Sequence, residues 1–167
     1  MKVIYFCDTS AIIKLYHAEI GTDYMESIFG DNQCAIMISE LTLVEFDSSV
    51  SKKVRTGDIT ESAKNEAIKN FKKDCRDRFL VNPLDSRIIR SARKIINKHG
   101  NKHSIRTLDA LQLGSCLVEE QEGLHFVCAD SRLNKICKLE GIFAADQSRA
   151  RRQACLPARA VDCIRWL

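Results

Sequence analysis

The chain has 167 residues, 45% of them hydrophobic, which suits one globular domain with a sizeable core and argues against a disordered or fibrous chain. No apolar run is long enough to span a bilayer and Asp8 interrupts the opening MKVIYFC, so neither a membrane span nor a signal peptide is expected, and a soluble, cytoplasmic protein is. The formal charge of +4 lies wholly in residues 148–167, where Arg149, Arg151, Arg152, Arg159 and Arg165 face Asp162; net charge therefore offers no argument that the body of the chain binds nucleic acid.

From the N-terminus, Val3 to Cys7 reads as a buried strand, and Asp8-Thr9-Ser10 supply capping side chains for a helix to about Tyr16. A second helix covers about Gly21 to Phe29. Ala35 to Ile38 is a short strand, followed by Ser39 as N-cap of a helix whose Leu43, Phe46, Val50 and Val54 recur at helical spacing. A turn at Gly57-Asp58 leads into a charged helix from Thr60 to about Phe79, so these two helices form an antiparallel hairpin. Phe79 to Asn82 is a third strand. Asp85 opens a helix to about Lys98 with Ile88, Ala92 and Ile95 on one face and Arg87, Arg90, Lys94 and Lys98 on the other. A helix from about Thr107 to Glu119, a strand from His125 to Ala129, a helix from Ser131 to Leu139 and a strand from Ile142 to Ala145 follow.

Strands separated by helices of this length predict an α/β fold with a mostly parallel sheet covered on both faces. Residues 1–147 form one domain. The rest changes character, with paired arginines, Pro157 and a lone Trp166; it reads as a basic C-terminal tail, either disordered or an expression-derived extension. The eight cysteines include no C-x-x-C pair and most lie among apolar neighbours, so buried thiols are expected rather than disulfides or zinc.

Four acids stand out: Asp8, Glu45, Asp109 and Asp130. Asp8 and Asp130 follow strands directly and Asp109 lies in the first turn of a helix, so a parallel sheet would bring the three to its C-terminal edge, where α/β folds bind ligands. Such a set can hold a hard divalent cation and act on a phosphodiester. Taken singly, Asp8, Asp109 and Asp130 read more readily as helix-capping acids, and only the set points to a site. Glu45 sits in mid-helix, where capping has no explanation for it and a solvated position is the alternative.

Other features carry less. The stripe Arg87, Arg90, Lys94, Lys98 and the group Lys52, Lys53, Arg55 can follow a phosphate backbone, but such stripes are more often solvated helix faces. The four histidines are scattered, and there is no P-loop, no G-x-G-x-x-G after a strand and no G-x-S-x-G. An aspartyl-phosphate enzyme of haloacid-dehalogenase type needs a second acid two residues after Asp8, where this chain has Ser10.

The segments YFCDTSAIIKLY, SELTLVEFDSSV, IRTLDALQLGSC and FVCADSRLNKICKLEG carry the four acids, in order, in a pattern that resembles the PIN domain, and most closely its VapC-type toxins, across nearly all of residues 1–147. The resemblance implies a three-layer α/β/α fold with an inserted helical hairpin and a metal-dependent ribonuclease using Mg²⁺ or Mn²⁺. It implies direct ligation by Asp8 and Asp109, with Glu45 and Asp130 completing the catalytic pocket directly or through water, and Thr9 and Ser131 orienting the carboxylates. It further implies an RNA substrate, a small antitoxin partner and a homodimer, with the charged helix pair from Lys52 to Phe79 as a candidate contact region. An RNA-processing PIN nuclease and a non-catalytic PIN-fold binding module are the alternatives. The chain departs from the family's common pattern at Cys128, where threonine is frequent, at Gln112, where histidine is, and at Gly114, where alanine is usual.

Overall fold

Five short runs rich in aromatic and aliphatic residues form one sheet in the computed structural model, which describes residues 3–119 and 123–146. They are β1 (Val3–Cys7), β2 (Cys34–Ser39), β3 (Phe79–Asn82), β4 (Leu124–Cys128) and β5 (Phe143–Asp146). Their order is β3-β2-β1-β4-β5, and every pairing is parallel. The chain winds outward from β1 through β2 to β3, then crosses to the other side of β1 for β4 and β5. Winding therefore reverses between β1 and β4, and that is where an open parallel sheet leaves a crevice at the strands' C-terminal ends.

Seven helices are described: α1 (Thr9–Ile12), α2 (Thr22–Gly30), α3 (Leu41–Arg55), α4 (Glu61–Asp77), α5 (Ser86–His99), α6 (Thr107–Leu117) and α7 (Ser131–Leu139). Their starts follow local chemistry. The side chains of Asp8, Thr60, Asp85 and Asp130 each accept a backbone N–H from the first turn of the helix they precede. The helix expected to run to Tyr16 is instead one α-turn continued by a 3₁₀ turn, Ile13–Leu15. Ser39 is the last residue of β2 rather than an N-cap; its Oγ still accepts the Leu41 N–H at 3.2 Å.

Alternation along the strands sends side chains to opposite faces and makes two cores. Cys7, Ile36, Ile38 and Val127 pack under α1 to α4 with Phe46, Val50 and Phe71. Phe6, Met37, Phe126 and Cys128 pack under α5 to α7 with Leu113, Leu133 and Ile136. The result is the expected three-layer α/β/α architecture with α3 and α4 as an antiparallel hairpin, turned at Gly57 with φ of 79°. The hairpin is held by aromatic packing: Phe46 of α3 stacks on Phe71 of α4 with centroids 4.0 Å apart, and Tyr16 meets both edge-on. The Tyr16 hydroxyl donates to Asp74 of α4 at 2.7 Å.

On the opposite face, Gly114 of α6 lies against α5 so closely that a Cβ there would stand 3.0 Å from Ala92 N and 3.3 Å from Ile88 O. The glycine in place of alanine thus lets two helix backbones approach, and the contact fixes the helix that carries Asp109. Gly114→Ala is expected to push the pair apart and cost about 1–2 kcal/mol, lowering Tm by several degrees. A melting curve unchanged by the substitution would show that the contact yields freely.

Candidate active site

Asp8 ends β1 and caps α1 at the switch point of the sheet, its N–H donating to Val127 O of β4 at 3.0 Å. The residue is only 8% exposed. Its Oδ1 accepts the Ser10 hydroxyl at 2.7 Å and the Ala11 N–H at 3.0 Å, while Oδ2 takes no hydrogen bond among the described residues. Burial pushes its carboxyl up to about 7; the Ser10 and Ala11 bonds oppose that rise, and the Glu45 charge adds to it.

Glu45 reaches the same place from α3, where the half-buried position is set by Phe46 beneath it. Its Oε2 accepts two hydrogen bonds, from Thr9 Oγ1 at 2.6 Å and from Gln112 Nε2 at 2.7 Å. Oε1 takes none among the described residues. Asp8 and Glu45 therefore each commit one oxygen to the protein and keep one free.

The other two acids form a second group. Asp109 is the third residue of α6, half-buried, with Oδ2 accepting the Arg106 N–H at 3.3 Å. Asp130 caps α7: Oδ1 accepts the Arg132 N–H at 2.7 Å, and the Arg132 guanidinium lies 3.2 Å from Oδ2. Partial burial works to raise the Asp130 carboxyl, but the Arg132 bonds outweigh it and hold the group below the usual carboxylate range. The Asp109 charge also acts on Arg132, so this arginine lies within electrostatic reach of both acids.

Ser10 stitches the two groups together, since its Oγ donates to Asp8 and accepts the Ala129 N–H at 2.8 Å, next to Asp130. All three capping readings hold, and the capping bonds consume oxygens that a cation would otherwise use. Among the described residues, no three His, Cys, Asp or Glu side chains are grouped closely enough to hold one metal ion. The sequence thus brought Asp8 and Glu45 together, and left Asp109 and Asp130 beside an arginine.

The orienting residues differ in part from expectation. Thr9 orients a carboxylate, but that of Glu45, which is 36 positions away. No hydrogen bond from Ser131 to Asp130 is found among the described residues; Arg132 takes that place. The single S–H of Cys128 is shared between the backbone O of Asp130 at 3.4 Å and Asn134 Oδ1 at 3.3 Å, so the loop is held without the threonine hydroxyl. Arg132 and Asn134 were not picked out from the sequence, and Ser10 only as a capping side chain, although Ser10 and Arg132 lie two residues from an acid.

The remaining candidates are structural. The described cysteines are all free, and burial raises the thiols of Cys7, Cys116 and Cys128, which keeps them neutral. His99 is buried against Glu140, and His125 stacks on Tyr5 with centroids 5.3 Å apart. Arg87 pairs with Asp85 and Lys98 with Glu140, at 2.7 and 2.9 Å, and Lys53 pairs with Glu19, so the basic stripes are partly neutralised by their own helices' neighbours. Residues 148–167 lie outside the described residues.

The profile of a family described as "PIN domain" matches residues 5–139. Three solved structures share the fold. VapBC2 from Rickettsia felis, bound to a DNA fragment from its promoter, aligns with TM-score 0.61 at 15% identity over 86% of this chain and 98% of that one. VapC20 from Mycobacterium tuberculosis, described as a sarcin–ricin loop cleaving toxin, gives 0.58 at 15% identity over 78% and 93%. PAE2754 from Pyrobaculum aerophilum gives 0.58 at 23% identity over 86% and 90%. No curated protein matches the chain.

The Asp8 geometry sets a pH dependence. Its folded pKa of about 7 exceeds the ordinary 3.8, so the stability it permits is full below the ordinary value and lost as pH rises through about 7. The loss is up to about 4 kcal/mol for a shift of this size. Metal-free protein is expected to melt progressively lower between about pH 4 and pH 7, and Asp8→Asn to flatten that slope and raise Tm at neutral pH. Parallel melting curves for the two proteins across the window would rule this out.

Proposed function

The chain belongs to the PIN domain family, and from that premise we propose that it is a metal-dependent endoribonuclease, the toxin of a VapBC-type toxin–antitoxin pair. The observation that carries the reading is the Asp8–Glu45 pair at the β1/β4 switch point, with one uncommitted oxygen on each acid. Hard oxygen donors of this kind suit Mg²⁺ or Mn²⁺. The buried Asp8 carboxyl, raised to about 7 in the absence of a cation, is a second mark of fit: it is a site whose negative charge lacks a partner.

In this reading Asp8 and Glu45 would hold the ion through their uncommitted oxygens, and Asp109 and Asp130, which stand apart beside Arg132, would act through water. A bound ion would supply Lewis-acid chemistry, lowering the pKa of water and neutralising charge on the scissile phosphate. The protein's own contribution is order. Ser10 and Ala11 fix one oxygen of Asp8, Thr9 and Gln112 fix one of Glu45, and Ser10 ties the Asp8 loop to the Asp130 loop. Arg132 keeps Asp130 ionised and brings a positive charge to the mouth of the crevice, where a phosphodiester backbone would lie.

An RNA substrate is supported by the family and by the loop-cleaving toxin that shares the fold. An antitoxin partner is supported by the VapBC2 structure that shares the fold; Val44 and Leu108, 70% and 46% exposed, are apolar side chains free to meet such a partner. Exposed Leu80, Val81 and Leu84 on and after the edge strand β3 favour a homodimer. Among the described residues no helix is long and apolar enough to cross a membrane, in keeping with action in the cytoplasm.

The full engagement of Asp130 by Arg132 favours one other reading, a non-catalytic PIN-fold binding module. Cleavage decides between them. Purified protein with structured RNA and Mg²⁺ or Mn²⁺ is expected to cut, and Asp8→Asn to lose at least about 100-fold of that rate, as EDTA-treated protein should. Metal-dependent cleavage retained in Asp8→Asn would displace the site, and an RNA left intact under every condition, with no calorimetric Mn²⁺ binding, would favour the binding module.

A further inference from the structure

The sequence marks Gln112 only as a departure from its family's pattern, yet it is the most connected polar side chain in the interior. It is 3% exposed, and its Nε2 lies 2.7 Å from Glu45 Oε2, 3.1 Å from Thr42 Oγ1 and 3.3 Å from Thr9 Oγ1. The carboxylate settles which way the amide faces, because an amide oxygen turned toward Glu45 would be repelled. That orientation leaves Gln112 Oε1 buried without a hydrogen bond, the one such side-chain atom among the described residues.

We infer that Gln112 is a positioning residue whose amide, with the Thr9 hydroxyl, clamps Glu45 Oε2 so that the other oxygen of Glu45 is left for a cation shared with Asp8. The inference rests on the metal-dependent reading proposed above and deepens it. The two donors come from the elements that bear the other acids: Thr9 follows Asp8, and Gln112 stands one turn beyond Asp109 on α6. Glu45 is thereby tied to both. The donors are also neutral. A lysine or arginine in the same place would satisfy Glu45 by cancelling its charge and would compete with a cation; an amide and a hydroxyl order the carboxylate and leave the charge intact.

Calorimetric titration of Mn²⁺ into wild type, Gln112→Leu and Ser115→Ala tests this. Ser115 lies on the same helix, bonds Ser39 and Leu111 rather than Glu45, and reports loss of buried polar contact alone. Gln112→Leu is expected to weaken Mn²⁺ binding about 10- to 100-fold, the range for loss of a partner that orients a metal ligand, and Ser115→Ala to lower Tm without changing affinity. A double-mutant cycle of Gln112→Leu with Glu45→Gln, melted without metal, should be non-additive. Wild-type affinity in folded Gln112→Leu, equal weakening in Ser115→Ala, or an additive cycle overturns the positioning role and leaves the nuclease reading standing. Failure of the wild type itself to bind Mn²⁺ overturns the nuclease reading and this role with it.

Discussion

The site is organised around one buried negative charge. Asp8 stands just past the end of the central strand, where winding reverses between β1 and β4, sheltered at 8% exposure yet at the edge where a crevice opens. Burial alone would neutralise it. What opposes that is local: the Ser10 hydroxyl and the Ala11 N–H, both supplied by the helix turn that Asp8 itself caps. The helix start and the acid are therefore one device, since the capping bonds that begin α1 also stabilise the ionised form. The balance remains unfavourable, with the carboxyl near neutrality, and a divalent cation is the partner whose chemistry would complete it.

Features encoded by near neighbours were legible in the sequence. Strand runs, the helix starts at Asp8, Asp85 and Asp130, and the α3–α4 turn all depend on residues within four positions of one another, and the structure has them where propensity and periodicity placed them, whereas Ser39, expected as an N-cap, ends β2. The alternation of these elements sufficed to predict the α/β layers, and the observed sheet is parallel in every described pairing. The contacts that convert four acids into a site were not legible. Thr9 to Glu45, Gln112 to Glu45 and Ser10 to Ala129 span 36, 67 and 119 positions, and no local rule pairs them. Gln112 was visible only as an oddity, and the structure supplies its reason.

Asp130 carries a partner that its position after a strand does not announce. Its position after β4 is the one expected of a working acid, but Arg132, two residues on, takes up both of its oxygens. An arginine in the first turn of a helix opposes the helix dipole, so its placement there needs the compensation that Asp130 and the nearby Asp109 provide. The acid set consequently divides. Asp8 and Glu45 hold an uncompensated negative charge in a sheltered place, whereas Asp109 and Asp130 hold a compensated one at a more open edge.

Glu45 carries the structural cost of this arrangement. It is the one acid that no cap explains, and it lies on a helix held in the core by Val50 and by aromatic packing, Phe46 stacked on Phe71 with Tyr16 against both. Removing such a ring from a core costs about 3–5 kcal/mol, so the hairpin is anchored far more firmly than one mid-helix carboxylate requires for its own sake. Its polar contacts act on a finer scale. The ring packing brings Glu45 into the crevice, and Thr9 and Gln112 then choose which of its oxygens faces the protein. Apolar burial sets where the acid stands, and hydrogen bonds set what it presents.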